Sequence, residues 1–201
     1  MNYLAIDTSG TNLTLLLRAN GKDYTYNDQN CGVNHSVSLM VELEKLVLSA
    51  GTSLANMDFF AVVVGAGSFT GIRIGVATAK ALCYATNKPI LSITSFDTLA
   101  YNENANKVLA VIDAKHNGYY VCGYSDGKEV LSPRYINGEE LITLASEYIC
   151  VSSSTLTINH KIVDIASGLR KAIEIKHSQI TFDLDSVVPL YVRKSQAEEG
   201  R

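Results

Sequence analysis

The stretch Gly65-Ala66-Gly67-Ser68-Phe69-Thr70-Gly71 follows an apolar run and precedes a helical pattern. A strand, a glycine-rich turn and a helix N-terminus together present free backbone N–H groups and the positive end of a helix dipole, a setting that suits an anion. The spacing is neither G-x-G-x-x-G nor a P-loop, because Gly71 is followed by Ile72-Arg73 rather than Lys-Ser or Lys-Thr. Spacing alone therefore favours a tight turn in which Ser68 or Thr70 caps a buried helix. Asp7 closes the apolar run Tyr3-Leu4-Ala5-Ile6 and is followed by Thr8-Ser9-Gly10. A carboxylate in that place can face a phosphate-bound magnesium or can cap its own turn. Asp113 repeats the strand-to-turn setting after Val108–Ile112. Two such units are what a duplicated nucleotide-cleft fold would show.

The other chemistry-bearing residues are scattered. His35 has no second histidine at helical spacing, and His116, His160 and His177 are isolated, so no metal site is expected. Ser68 does not sit in G-x-S-x-G. The four cysteines lie far apart with no CxxC pair, which argues against a zinc knuckle or a thioredoxin-type motif.

The elements that must position these residues read as follows. Strands are expected at 3–6, 13–17 and 22–26, then a helix from an Asn34 cap to about Ala50 with Gly51 as its stop. Placed at 100° steps, Leu46, Leu39, Ala50, Leu43, Val47, Met40, Val37, Leu48 and Val41 span an arc of roughly 220°, where one core stripe needs about 100°. The wheel leaves two readings open: a helix covered on two sides by its own domain, or one face for the core and another, Leu39-Leu43-Leu46-Ala50, for a partner. A strand at 59–64 leads through the glycine loop to a helix over 70–86, with Gly71, Gly75 and Ala79 at helical spacing where small side chains permit close approach. A strand at 90–93 follows. A polar stretch near 102–106 marks a boundary, so units 1–104 and 105–201 are expected. The second unit opens with strands at 108–112 and 119–124. Then come a strand near 129–136, a helix near 138–147, a short strand near 148–151 and a helix near 159–174. No internal repeat is visible at the sequence level.

Length and composition bound the possibilities. A chain of 201 residues buries roughly 70% of its unfolded surface without a staple. Its 47% hydrophobic and 18% charged residues fit a globular protein. A net charge of -3 lacks the basic footprint that binds nucleic acid unaided. The first residues carry no signal-peptide pattern and no apolar stretch reads as a membrane span, so a cytoplasmic protein with reduced thiols is expected.

Several of these segments together resemble the bacterial TsaB (YeaZ) family. They are Tyr3-Leu4-Ala5-Ile6-Asp7-Thr8-Ser9, His35-Ser36, the string Gly65-Ala66-Gly67-Ser68-Phe69-Thr70-Gly71-Ile72-Arg73-Ile74-Gly75, Val111-Ile112-Asp113-Ala114, and Pro189-Leu190-Tyr191-Val192-Arg193. The G-x-G-S-F-T-G-x-R-x-G string is the most specific of them. The resemblance covers residues 1 to about 124 and the tail, and is thin over 125–185. It implies an α/β, actin-like and Hsp70-like (ASKHA) fold of two lobes, each a mixed sheet flanked by helices, with the second lobe shortened. It also implies a non-catalytic accessory subunit for making N6-threonylcarbamoyladenosine (t6A) at position 37 of tRNA.

The implied partners are a TsaD-like paralogue in a heterodimer, a TsaE-like ATPase, and tRNA mainly through these partners, with homodimers in isolation and no membrane. The expected interface comprises His35, Leu39, Leu43, Leu46, Ala50, Gly71, Arg73, Ile74, Gly75, Thr78 and Lys80, and aspartate at Leu43 or Gly75 is expected to abolish pairing while leaving the monomer folded. Asp7, Thr8, Ser9 and Asp113 would form a vestigial nucleotide cleft. No catalytic or metal-binding residue is expected, and no cofactor of its own; ATP or ADP with magnesium would enter only in complex with partners. The chain departs from the family in having Ala66 where proline is frequent, in lacking a Gly-Gly dipeptide, and in carrying Val151-Ser152-Ser153-Ser154 at the adenosine turn. The rival reading is an ATPase or small-molecule kinase of the same fold using Asp7 and Asp113. A metallopeptidase is disfavoured by the lone His35.

Overall fold

The computed structural model describes residues 1–28, 31 and 35–193. The chain divides into two compact units, Met1–Thr94 with Ile173–Leu190, and Ser95–Ala172 with the residues from Tyr191 onward. In the first unit, β1 (Tyr3–Asp7), β2 (Leu13–Ala19), β3 (Lys22–Asp28), β4 (Phe59–Val63) and β5 (Ile90–Ile93) form one sheet in the order β3-β2-β1-β4-β5. β1 pairs antiparallel with β2 and parallel with β4; β2 and β3 are antiparallel, β4 and β5 parallel. β1 and β4 are buried at every position, as expected of central strands covered on both faces. β3 alternates between exposed and half-buried residues at the sheet edge.

Helix α1 (His35–Ser49) and helix α2 (Phe69–Thr86) cover one face of this sheet. Leu39, Leu43, Leu46 and Val47 from α1 and Ile72, Val76, Ala79 and Leu82 from α2 join Leu4, Ile6, Leu15, Phe60 and Val62 in one apolar core. Asn34, the expected cap of α1, lies outside the described residues. Ser68 caps α2 by accepting a hydrogen bond from the Gly71 amide, and Asn87 ends the helix in the left-handed conformation.

The second unit repeats the topology. Strands β6 (Lys107–Lys115), β7 (Gly118–Ser125), β8 (Lys128–Asn137), β9 (Ile149–Ser152) and β10 (Lys161–Ile162) are ordered β10-β9-β6-β7-β8. β6, β7 and β8 run as an antiparallel meander, and β6-β9-β10 are parallel. Helix α4 (Gly138–Ala145) starts on a capping box formed by Asn137 and Glu140. Helix α3 (Ser95–Ala100) comes before β6, and α5 (Ile165–Lys176) after β10. This is the actin-like fold, two mixed sheets flanked by helices. The second unit is the leaner copy, because β9 passes to β10 through residues 153–160 without a helix.

The division differs from the expected units 1–104 and 105–201. α3 belongs to the second unit, where the Tyr124 hydroxyl donates to buried Asp97 at 3.0 Å. The segment 173–190 returns to the first. Ile90 and Thr181 exchange two backbone hydrogen bonds of 2.8 and 2.9 Å, and the Leu190 amide donates to Val64 O at 2.7 Å. The tail is thus a strap on the first unit, anchored by Val187 in its core.

Candidate partner-binding face and glycine loop

The glycine string is explained by how closely α2 lies against the turn after β1. A Cβ on Gly67 would stand 2.1 Å from Ser9 O, and one on Gly71 2.1 Å from Thr8 O. At Gly75 it would stand 2.4 Å from Thr8 Oγ1. Thr8 Oγ1 donates to Gly71 O at 2.7 Å, and the Ser68 amide donates to Ser9 O at 2.6 Å. An amide that would be aimed at an anion therefore bonds to the protein itself. The loop is a tight turn with a Ser68 cap.

Asp7, Thr8 and Ser9 are buried in the same turn. Asp7 Oδ1 accepts the Ser9 amide at 2.8 Å and the Ser9 hydroxyl at 2.6 Å. Burial pushes the Asp7 carboxyl above the ordinary carboxylate range, opposed by the Ser9 hydrogen bonds and by the nearby His35. His35, also buried, donates from Nε2 to Asn12 O at 3.1 Å. Asp113 does the same in the second unit, accepting the Lys115 amide at 2.7 Å and pairing with Lys115 Nζ at 3.0 Å. Burial raises its affinity for a proton, but the Lys115 hydrogen bonds and charge outweigh this and hold the carboxyl low. Both aspartates thus close an Asx turn onto the residue two positions ahead, at matching places in the two sheets. Among the described residues no group of three His, Cys, Asp or Glu side chains is placed to hold a metal.

The helix faces correct the expected interface. Leu39, Leu43 and Leu46 point into the core, Leu39 and Leu43 being 1% and 2% exposed, and Ala50 is half-buried against it. Gly71 and Gly75 are buried against Thr8, and Ile74 packs partly on the core. These seven residues, with His35, are spoken for inside the unit. Of the expected set, Arg73 is exposed, and Thr78 and Lys80 are half-exposed. The Arg73 guanidinium lies 3.9 Å from the centre of the Phe69 ring.

The outward side of α1 carries Val37, Met40, Val41 and Leu48 around the exposed Glu44, with Val37 72% and Leu48 69% exposed. α2 adds Ala77, Ala81, Ala85 and Tyr84, the last 86% exposed. The wide arc of α1 therefore has a core face and an outward apolar face, with the residues exchanged relative to expectation. Tyr84 was not among the expected residues. Its only signal was a large aromatic on a helix face shared with Ala77, Ala81, Arg73 and Lys80.

Comparison with known proteins bears on the family and the fold. A model of the TsaD family, tRNA N6-adenosine threonylcarbamoyltransferase, matches residues 28–153. The tRNA threonylcarbamoyladenosine biosynthesis protein TsaB of Escherichia coli K12 is 28% identical over 167 residues, 76% of this chain and 71% of that protein. The TsaB protein of Bacillus subtilis 168 is 34% identical over 102 residues, 51% of this chain and 44% of that protein. The solved structure of YeaZ from Pseudomonas aeruginosa superposes with a TM-score of 0.77 at 22% identity, covering 94% of this chain and 99% of that one, which speaks for the fold. The family model spans more than half of the chain and the curated relatives carry the TsaB name; the chain belongs to the TsaB/YeaZ family.

Proposed function

We propose that this chain is a non-catalytic accessory subunit of the machinery that makes t6A in tRNA, binding a TsaD-type catalytic subunit and stabilising it. The observation that carries the proposal is the outward apolar face of α1 and α2, with Val37, Met40, Val41, Leu48 and Tyr84 held exposed on helices whose opposite faces are already packed. Exposed apolar side chains gathered on one face mark interaction sites, and an exposed tyrosine among them is a suitable anchor. In this reading Arg73 and Lys80 are rim charges, and the same face joins two copies when the partner is absent. A TsaE-type ATPase completes the system. ATP or ADP with magnesium is handled only in the complex, and tRNA is held mainly by the partners.

The two Asx turns support the absence of independent nucleotide chemistry, since Asp7 and Asp113 both spend an oxygen on their own backbone. The rival reading, a nucleotide enzyme, draws on the perturbed, buried Asp7. Reconstitution of tRNA threonylcarbamoylation with TsaD- and TsaE-type partners, with and without this chain, separates the two. Activity that requires the chain, which alone turns over no ATP, is the expected outcome. ATP turnover by the isolated chain, lost in Asp7→Ala, would favour the enzyme instead.

A further inference from the structure

The chain contains three Asn-Gly dipeptides, Asn20-Gly21, Asn117-Gly118 and Asn137-Gly138. Asparagine is a thermolabile residue because the amide nitrogen of the next residue can attack its side-chain carbonyl carbon. Glycine in that next place, with no Cβ, leaves the nitrogen most accessible. The attack needs a nitrogen free of hydrogen bonds and a side chain that can swing to it. The three sites differ in both.

Asn20 and Gly21 are the two loop residues of the β2–β3 hairpin, closed by the pair Ala19 and Lys22. Both have positive φ, 53° and 77°, as a type I′ turn requires. The Gly21 amide therefore lies inside the turn and outside the ladder, and it bonds to no acceptor among the described residues. A Cβ on Gly21 would meet nothing within 4 Å. Asn2 Oδ1 accepts from the Asn20 backbone amide at 3.0 Å, but the Asn20 side chain makes no hydrogen bond among the described residues. Asn117 is placed differently. It is the second loop residue of the β6–β7 hairpin, so its glycine already belongs to β7 and is paired with Lys115 on one side and Asn137 on the other. Whichever way the Gly118 amide points, it faces a ladder neighbour. The Asn117 side chain also lies against Gly138, where a Cβ would stand 2.7 Å from its Oδ1. At Asn137 the side chain is the cap of α4, with Oδ1 accepting the Glu140 amide at 2.9 Å. It must leave the helix before its carbon can be reached.

We propose that Asn20 is a site of spontaneous deamidation in the native protein, and that the fold protects Asn117 and Asn137. Hydroxide takes the Gly21 amide proton, and the nitrogen forms a bond to Asn20 Cγ. The Cγ–Nδ2 bond breaks, and Nδ2 takes a proton from water and leaves as ammonia. A second water then opens the cyclic imide by breaking one of its two carbonyl–nitrogen bonds. Breaking the bond at Cγ gives aspartate. Breaking the bond at the main-chain carbonyl gives isoaspartate, in which the chain runs through Cγ. Either product adds a negative charge to the β2–β3 turn.

The test is peptide-mapping mass spectrometry on the full chain, native and unfolded in urea, during incubation in mildly alkaline buffer. In the native chain Asn20 is expected to convert at least about tenfold faster than Asn117 and Asn137, the factor that opening one hydrogen bond first imposes. In urea, where each site is simply an asparagine followed by glycine, the three rates are expected to converge. Raising the pH should quicken the Asn20 reaction, because the attacking nitrogen must lose its proton. Equal native rates at the three sites, or an Asn20 that stays intact while the unfolded chain reacts, overturn the proposal. Rates that stay equally far apart in urea overturn it too, since the difference would then come from the flanking sequence and not from the fold. No substitution is needed, so the outcome does not depend on a variant folding.

Discussion

Replacing Gly71 with alanine tests the packing that places α2. The added Cβ would stand 2.1 Å from Thr8 O and 3.2 Å from Ser68 Oγ. The first contact is with backbone, so neither a rotamer change nor a flexible tip relieves it. The helix must back away from the β1 turn. Overpacking of this kind typically costs about 1–3 kcal/mol. The retreat also stretches the buried Thr8–Gly71 hydrogen bond of 2.7 Å, a bond worth about 0.5–1.5 kcal/mol. Alanine recovers up to about 1 kcal/mol as the better helix former, which leaves a net loss of about 2 kcal/mol. For a chain of this length that corresponds to a fall in Tm of about 4–8 °C. Gly75→Ala should lose less, because its Cβ meets a side-chain atom, the Thr8 hydroxyl, at 2.4 Å, whose displacement costs the Thr8–Gly71 hydrogen bond without a backbone shift. Thermal and urea unfolding followed by circular dichroism read both. Gly71→Ala within about 0.5 kcal/mol of wild type, or less destabilised than Gly75→Ala, would refute the reasoning.

Asp7→Asn should stabilise the protein relative to wild type as pH rises. Burial holds the folded carboxyl above the ordinary range, so its contribution is present below the unfolded pKa and lost as pH climbs through the folded one. Urea titrations across pH 4–8, a range bracketing about a carboxylate's titration, should show the variant's advantage growing with pH; a shrinking advantage contradicts this. Asp97→Ala should cost about 1–3 kcal/mol by leaving the Tyr124 hydroxyl buried without its acceptor, read as a lowered urea midpoint, whereas an unchanged midpoint would count against that bond. Burial pushes the Cys83 thiol up to about 12 and Cys150 to about 11, so a thiol reagent at neutral pH should label them only after unfolding, and fast labelling of the native chain would contradict their burial.

The strands of the first unit were readable because Tyr3–Asp7 and Phe59–Val63 are buried on both faces and appear as unbroken apolar runs. Strand–Asp–turn units at Asp7 and Asp113 were likewise visible, and they occupy equivalent places in two sheets of one topology. Beyond those two units the repetition left no trace in the sequence, since topology constrains the pattern of burial and not the residues that satisfy it. α3 was not foreseen, because six residues are fewer than two helical turns, too few for a period to show, and its buried polar residues Ser95, Asp97 and Thr98 read as a turn. The return of 173–190 to the first unit escaped notice because its backbone bonds at Thr181 and Leu190 depend little on side-chain identity, leaving Val187 as its one fully buried apolar anchor in the core. On α1 the wide arc was legible, but Leu39, Leu43 and Leu46, offered as the side for a partner, face the core. A wheel shows how wide the apolar face is, and only the neighbouring sheet decides which half it covers.

The central claim is that the outward face of α1 and α2 binds a TsaD-type subunit. The most direct measurement is binding of the purified chain to its cognate TsaD-type paralogue, by calorimetry and co-elution, for wild type and for Leu48→Asp combined with Tyr84→Asp. Both side chains are exposed, at 69% and 86%, so the variant should keep the wild-type Tm while losing anchor contacts worth about 2 kcal/mol or more, a Kd at least about thirtyfold weaker. Unchanged affinity in a folded variant would contradict the claim and place the partner, if there is one, on another surface.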